Sequence, residues 1–481
     1  MSGRYVIGVD VGGTFTDVFI LDQSTGSAEI RKVPSTKPDQ SQGFLAGIRA
    51  GVDAVPSIAT VVHGTTVGTN ALLERRGAPT GIITTAGFRD VLEMRRRDRP
   101  ATWGLRGEFE PVIPRDRRLE VSERVLADGA VHTPVDITAV TAAAKQLLAT
   151  GCQAVAIVFV NAYANAANEQ AALEAVREVW PNEHVTASHR ILPEIREFER
   201  TSTATLNAYL QPVVASYLER LQAALKGDGF GGDVLIVQSN GGVMSVDTAR
   251  QVPVRTALSG PAAGVIAAAH IAGSAGFPNI VTCDMGGTSF DVSLVADGQT
   301  ELSPQTSIDF GMVVRQPMIE ITTIGAGGGS IAWVDRGGLL QIGPESAGSD
   351  PGPVCYGLGN DRPTVTDANV VLGRINAGRP IGGKLSSLDV EGAKAAIEAH
   401  VAKPLGLGDH PGRQQPHGRR HPPGLDRTRP RPQELRRHAV RRRRRAAHRR
   451  ADQGGRPGRR PGAALPGGDQ RARVRDRRHA P

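Results

Sequence analysis

Asp10-Val11-Gly12-Gly13-Thr14-Phe15-Thr16-Asp17 stands between two short apolar runs, at 5–9 and 18–21. Two adjacent glycines let a backbone approach a phosphate closely, and Thr14 and Thr16 carry hydroxyl donors. Asp10, at a strand end, suits contact with Mg²⁺ through water. Ordinary hairpin turns use the same composition, so one such segment decides little. About 270 residues later Asp284-Met285-Gly286-Gly287-Thr288-Ser289-Phe290-Asp291 repeats it, again between apolar runs. The repetition points to two related domains closing on one nucleotide. Gly12, Gly13, Thr14, Thr16, Gly286, Gly287 and Thr288 are the candidate phosphate contacts. Asp10 and Asp284 are the candidate catalytic residues and metal ligands.

Other polar groups gather in short segments. His63-Gly64-Thr65-Thr66 ends an apolar run, and with Asn70 it offers donors for a substrate or a phosphate. The simpler reading has Thr66 or Thr69 capping a helix at 70–75. Ser259-Gly260-Pro261 opens an alanine-rich helix and is either an anion site or a plain cap. Gly325-Ala326-Gly327-Gly328-Gly329-Ser330 either wraps phosphate, through Gly327 and Gly328, or lets a lid move. Arg95-Arg96-Arg97-Asp98-Arg99 clamps an anion or is a solvated surface. Arg196, Glu199, Arg200 and Thr203 line a cleft or form helix salt bridges. Asp367 reads as part of a solvated loop, with a cation contact as the rival. Cys283 reads as a small core residue.

Apolar runs of strand length alternate with helix-period segments, the signature of an α/β chain. Strands are expected at 5–9, 18–21, 60–63, 154–160, 234–238 and 280–284. Helices are expected at 137–148, 168–179, 197 to about 225, and 262–272. The long amphipathic segment after Arg196 separates the two glycine-rich turns. Accordingly 1–200 reads as an N-terminal domain with the first turn, 201–408 as an incomplete second domain with the other, and 409–481 as a tail.

The 57 basic and 48 acidic residues give a net charge of +9, unevenly spread. Residues 411–481 hold 23 Arg, no Lys and 5 acidic residues, so residues 1–410 carry 34 basic against 43 acidic side chains. The tail has 13 apolar residues in 71 and should be disordered. A basic tail that binds nucleic acid competes with out-of-frame translation of GC-rich DNA; the missing Lys favours the frameshift and disfavours a nucleic-acid partner. Three scattered cysteines exclude a disulfide framework and fit a reducing cytoplasm. Neither an export signal nor a run of eighteen apolar residues is present, so no membrane role is expected.

The two D-x-G-G-T turns resemble the phosphate loops of the actin, hexokinase and heat-shock-chaperone ATPase superfamily. The segments 63–70, Gly87-Phe88-Arg89-Asp90, Ser239-Asn240-Gly241-Gly242, Ser259-Gly260-Pro261-Ala262-Ala263-Gly264 and 325–330 narrow the match to the hydantoinase A, 5-oxoprolinase and acetone carboxylase β-subunit family, over residues 5 to about 405. The resemblance implies an α/β fold of two related actin- and hexokinase-like, ribonuclease H-like domains around a nucleotide cleft. It implies ATP and Mg²⁺ as cofactors, a small cyclic amide (a hydantoin or 5-oxoproline) opened after phosphoryl activation of its carbonyl, and a B-type partner subunit. Carboxylation of a ketone is the alternative. A sugar kinase is disfavoured because its cysteine-rich zinc loop has no counterpart here. The resemblance also implies a continuation with a glycine-rich adenosine loop, where this chain has its arginine-rich tail, so an inactive fragment is a further expectation.

Overall fold

The computed structural model describes residues 4–12, 15–36, 40–52, 54–96, 109–309, 311–348, 351–380 and 385–407. Gly13, Thr14, Arg97, Asp98, Arg99 and the tail from 409 lie outside the described residues, and so do the readings placed on them.

Alternation builds β1 (Tyr5–Val11), whose Ile7, Val9 and Val11 are buried, and the glycine turn leads into β2 (Phe15–Asp22). Then come β3 (Ala28–Pro34), β4 (Ile58–Thr65), β5 (Thr80–Thr85), β6 (Arg118–Val121), β7 (Arg124–Val125), β8 (Val131–Thr133), β9 (Ala154–Val158) and β10 (Val185–Ala187). Beyond the helix Glu197–Gly227 follow β11 (Asp233–Val237), β12 (Val243–Ser245), β13 (Ile280–Met285), β14 (Phe290–Ala296) and β15 (Gln299–Thr300).

One mixed sheet has the order β12-β11-β4-β1-β2-β3, with β1-β2-β3 antiparallel and β4 and β11 parallel to β1. Strands from both sides of residue 200 share it. A second sheet, β10-β9-β5-β6, is parallel, and every residue of β5 and β9 is buried, as parallel strands require. The helix Ile137–Ala149, capped by Asp136 accepting from the Ala139 N–H at 3.1 Å, covers that sheet through Val140, Ala144 and Leu147.

Between the two sheets runs the helix Glu197–Gly227. Its Leu206, Leu210, Leu218 and Leu221 share one core with Ile7 and Val9 of β1 and with Ala154 and Ala156 of β9. Amphipathic patterning is therefore weak: a helix enclosed on most sides keeps no continuous polar face. Polar side chains on it hold neighbours instead. Glu199, 3 % exposed at its side chain, accepts both Arg96 nitrogens at 2.7 and 2.5 Å. Buried Arg200 donates to Glu194 O and Phe159 O, and the Thr203 hydroxyl accepts from the Arg315 N–H. The expected salt-bridge ladder reduces to Arg196 and Glu199 at 4.0 Å.

The second glycine turn joins antiparallel β13 and β14, and β14 also pairs with β15 and with the strand Ile321–Ile324. Among the described residues β13 has no partner on its outer edge, and Ile271, Phe277, Val281, Met285 and Ile324 are exposed. Cys283 is consequently exposed, which corrects its reading as a core residue. The local core is small: Ala262, Val265, Val295 and Ile319. No helix of the described residues is long and apolar enough to cross a membrane.

Candidate functional site

Asp10 and Asp17 face each other across β1 and β2, and Asp284 and Asp291 do so across β13 and β14. Each outer aspartate meets a polar residue on the next strand. Lys32 of β3 donates to Asp17 at 2.7 and 2.9 Å, and Thr323 donates to Asp291 at 2.6 Å. The two turns are thus the same three-strand construction with different third residues.

The constructions also act on one another. Asp10 is open to solvent but closely surrounded by protein, and its carboxyl is pushed up to about 6, first by desolvation, then by the negative charges of Asp17 and Asp284, with Lys32 opposing. Asp291 is raised as well, chiefly by burial and further by Asp284, against the Thr323 hydrogen bond. The carboxylates that the sequence separates by 274 positions therefore share one electrostatic neighbourhood. Hard carboxylate oxygens there suit Mg²⁺ held largely by its own water. Among the described residues no three acidic, histidine or cysteine side chains converge into a complete protein cage.

Glycines make the room. A Cβ on Gly64 would lie 3.3 Å from Asp10 Oδ1, and one on Gly260 3.5 Å. Gly64 lies beside Asp10 because β4 pairs in parallel with β1. Gly260 is held there by bonds across nearly 200 residues: the Ser259 hydroxyl donates to Thr65 O at 3.1 Å, and the Leu258 N–H donates to the Thr69 hydroxyl at 2.9 Å. Leu258 takes φ +61°, a left-handed bend that lets the helix Ser259–Ser274 start beside the carboxylate.

The remaining expected contacts divide. The helix after β4 starts at Val67, earlier than expected, and neither Thr66 nor Thr69 caps it with its side chain. The Thr66 hydroxyl instead donates to Val11 O at 2.9 Å, with Asn70 at 3.5 Å from it, which keeps both beside the first turn. Thr65 is buried, its hydroxyl accepting from the Val67 N–H. His63 is fully buried, engaging Tyr217 Oη at 2.8 Å and Val9 O at 3.2 Å, and burial lowers its pKa to about 4. Its ring belongs to the core, because β4 alternates and the adjacent Gly64 takes the side toward Asp10. Thr16 is likewise buried, bonded to the Ser35 hydroxyl at 3.0 Å, and Ser35 donates to Gly12 O at 2.8 Å.

The segment 325–330 lies against the second turn. Gly328 donates to Gly286 O at 2.9 Å and Gly329 to Gly287 O at 2.7 Å, so these N–H groups brace the turn. A Cβ on Gly327 would fall 2.6 Å from Gly287 C, Thr288 C and Ser289 N, which explains the glycine. Asp367 accepts from Thr364 N–H and hydroxyl and from the Val354 and Cys355 N–H groups, a buried capping box in place of the expected solvated loop. Ser35, Lys32, Thr323 and Leu258 were not legible in advance, since each matters through strand register or a long-range contact.

An α/β chain with two such aspartate-bearing turns brought together has the two-domain actin- and hexokinase-like architecture. Two hydantoinase/oxoprolinase family models match the chain, the N-terminal region at 6–180 and the hydantoinase/oxoprolinase domain at 200–417, and the chain belongs to that family. It is 39% identical over 415 residues to the caprolactamase subunit alpha of Pseudomonas jessenii, covering 84% of this chain and 59% of that one. With the acetophenone carboxylase gamma subunit of Aromatoleum aromaticum it shares 38% identity over 428 residues, covering 83% and 57%. The crystal structure of the ATP-dependent caprolactamase from Pseudomonas jessenii superposes with a TM-score of 0.72 at 38% identity, over 84% of this chain and 60% of that one. The chain spans about three-fifths of the length of these relatives.

Proposed function

We propose that this chain is the nucleotide-handling part of an ATP-dependent amidohydrolase that opens a small cyclic amide. What supports the reading is that the charge of Asp284 acts on Asp10, after desolvation and Asp17, so that the two phosphate-loop-like turns lie near each other. A ring amide is a poor electrophile, and transfer of the γ-phosphoryl group to its oxygen makes the carbonyl carbon open to attack. Catalysis then rests on positioning and charge neutralisation. Asp10 and Asp284 would hold Mg²⁺, directly or through water, and Gly12, Gly13, Thr14, Gly286, Gly287 and Thr288 would contact the phosphates. The chemistry that Mg²⁺ would supply there, when bound, is neutralisation of charge on the transferring phosphoryl group. Gly260, beside Asp10, and Thr66 and Asn70, beside the first turn, would contact the substrate or its phosphate. A B-type partner subunit completes the ring opening.

Ketone carboxylation is the second reading, favoured by the similarity to an acetophenone carboxylase subunit. ADP release by the purified chain with MgATP, alone and with a B-type subunit, separates the two. Stimulation by caprolactam, hydantoin or 5-oxoproline without bicarbonate supports the amidohydrolase, and stimulation only by a ketone with bicarbonate refutes it. In an active form, Asp284→Ala should lower ADP release more than tenfold; a smaller loss removes Asp284 from its assigned role.

A further inference from the structure

In the parallel sheet β5 leads outward to β6 on one side, while β9 leads to β10 on the other. The carboxyl ends of β5 and β9 therefore form a topological switch point, where open parallel sheets bind ligands. A cavity of about 490 Å³ lies there, open to solvent and lined by Ala86 beyond β5, Asn161 beyond β9, Ser122, Glu123 and Arg124 where β6 passes into β7, and His132 of β8.

Its walls are fixed by side-chain bonds. The Thr85 hydroxyl accepts from the Val160 N–H at 2.9 Å and donates to Glu123, which ties the ends of β5 and β9 to the cavity. Asn161, at φ +57°, donates to Val125 O at 2.9 Å, and Asn168 donates to Glu123 Oε2 and to Thr133 O, both at 2.9 Å. These residues play no part at the aspartate pair.

Opposite charges line this one crevice. Glu123 is only 4 % exposed and accepts one bond on each oxygen, whereas a carboxylate offers about four acceptor directions. Arg124 rests 5.2 Å over the Phe88 ring, which assigns a place to the Gly87-Phe88-Arg89-Asp90 segment, and it has no ion pair among the described residues. Burial raises the Glu123 carboxyl above its ordinary range, against the Thr85 and Asn168 bonds and the positive charge of Arg124.

We propose that this crevice binds a small zwitterion of amino-acid type, its ammonium on Glu123 and its carboxylate on Arg124. Glu123 and Arg124 both line the crevice, so a ligand that carries both charges suits it better than one that carries either charge alone. The site is separate from the nucleotide cleft and does not rest on the reading of that cleft.

The test is saturation-transfer NMR titration of the whole chain with L-norvaline, against pentanoate, which lacks the amine, and butylamine, which lacks the carboxylate. Norvaline should saturate at millimolar concentration, at least tenfold tighter than either control. Glu123→Gln keeps the acceptor for Thr85 and should weaken norvaline at least tenfold while leaving pentanoate unchanged. Arg124→Gln should do the same for norvaline and leave butylamine unchanged. No saturable norvaline binding, equal binding of the controls, or retained binding in both folded variants overturns the proposal.

Discussion

Gly325 and Gly327 sit two residues apart in one loop, yet replacement by alanine should affect them very differently. A Cβ at Gly325 meets nothing within 4 Å, and neither glycine needs a left-handed backbone. At Gly327 the same atom falls 2.6 Å from three main-chain atoms of the second aspartate turn. Ordinary van der Waals contact begins near 3.4 Å, so the two loops must separate by about 0.8 Å, and no rotamer can absorb it because the obstacle is backbone. Overpacking of this kind costs about 1–3 kcal/mol. The separation also strains the Gly328–Gly286 and Gly329–Gly287 hydrogen bonds that fix the turn. A shift approaching 1 Å in a positioning loop is worth up to roughly a hundredfold. Calorimetric titration of MgATP, with thermal unfolding measured on the same samples, should show Gly327→Ala binding at least tenfold more weakly than the wild-type chain. Gly325→Ala should match the wild type in both measurements. Equal behaviour of the two variants would refute the brace.

Two pH dependences of opposite sign follow from Asp10 and His63. Asp10 titrates near 6 in the folded chain, above its ordinary value of 3.8, so folding takes up a proton and this contribution to stability is lost as pH rises from about 3.8 through about 6. Asp10→Asn should remove that slope and raise the unfolding temperature more at pH 7 than at pH 4; an equal change at both values contradicts the raised carboxyl. His63, lowered to about 4 from 6.5, works the other way: its contribution is present above 6.5 and is lost as pH falls toward 4, about 3 kcal/mol in all. Acid unfolding of His63→Phe should show a shallower dependence over that window, and an unchanged profile would place the imidazole in solvent. Arg96→Ala should destabilise the chain by about 1–3 kcal/mol, since it strips a buried carboxylate of its bidentate partner; Glu199→Gln, which leaves only the half-exposed Arg96 charge without its partner, should cost less in denaturant melts.

Much of the architecture was open to reading because local patterns carry it. The strands at 5–9, 60–63 and 280–284 and the helices at 137–148 and 168–179 follow from period and propensity, and they recur within a few residues. The aspartate turns were legible through their repetition. The functions of single polar residues were not. His63 and Thr16 sit in polar-looking segments but face the interior, and Asp367 looks like a loop carboxylate but closes a buried cap. In each case burial depends on what another part of the chain places opposite.

Sequence alone determined the α/β class, the two D-x-G-G-T turns and the glycines that allow close approach, because each is a property of a few adjacent residues. Tertiary structure decided that Asp10 and Asp284 share one field, that Gly260 lies beside Asp10, that the glycine-rich loop braces the second turn, and that Glu123 and Arg124 line one crevice at the end of β5. These depend on strand register and on contacts across tens to hundreds of residues, which no local spacing encodes.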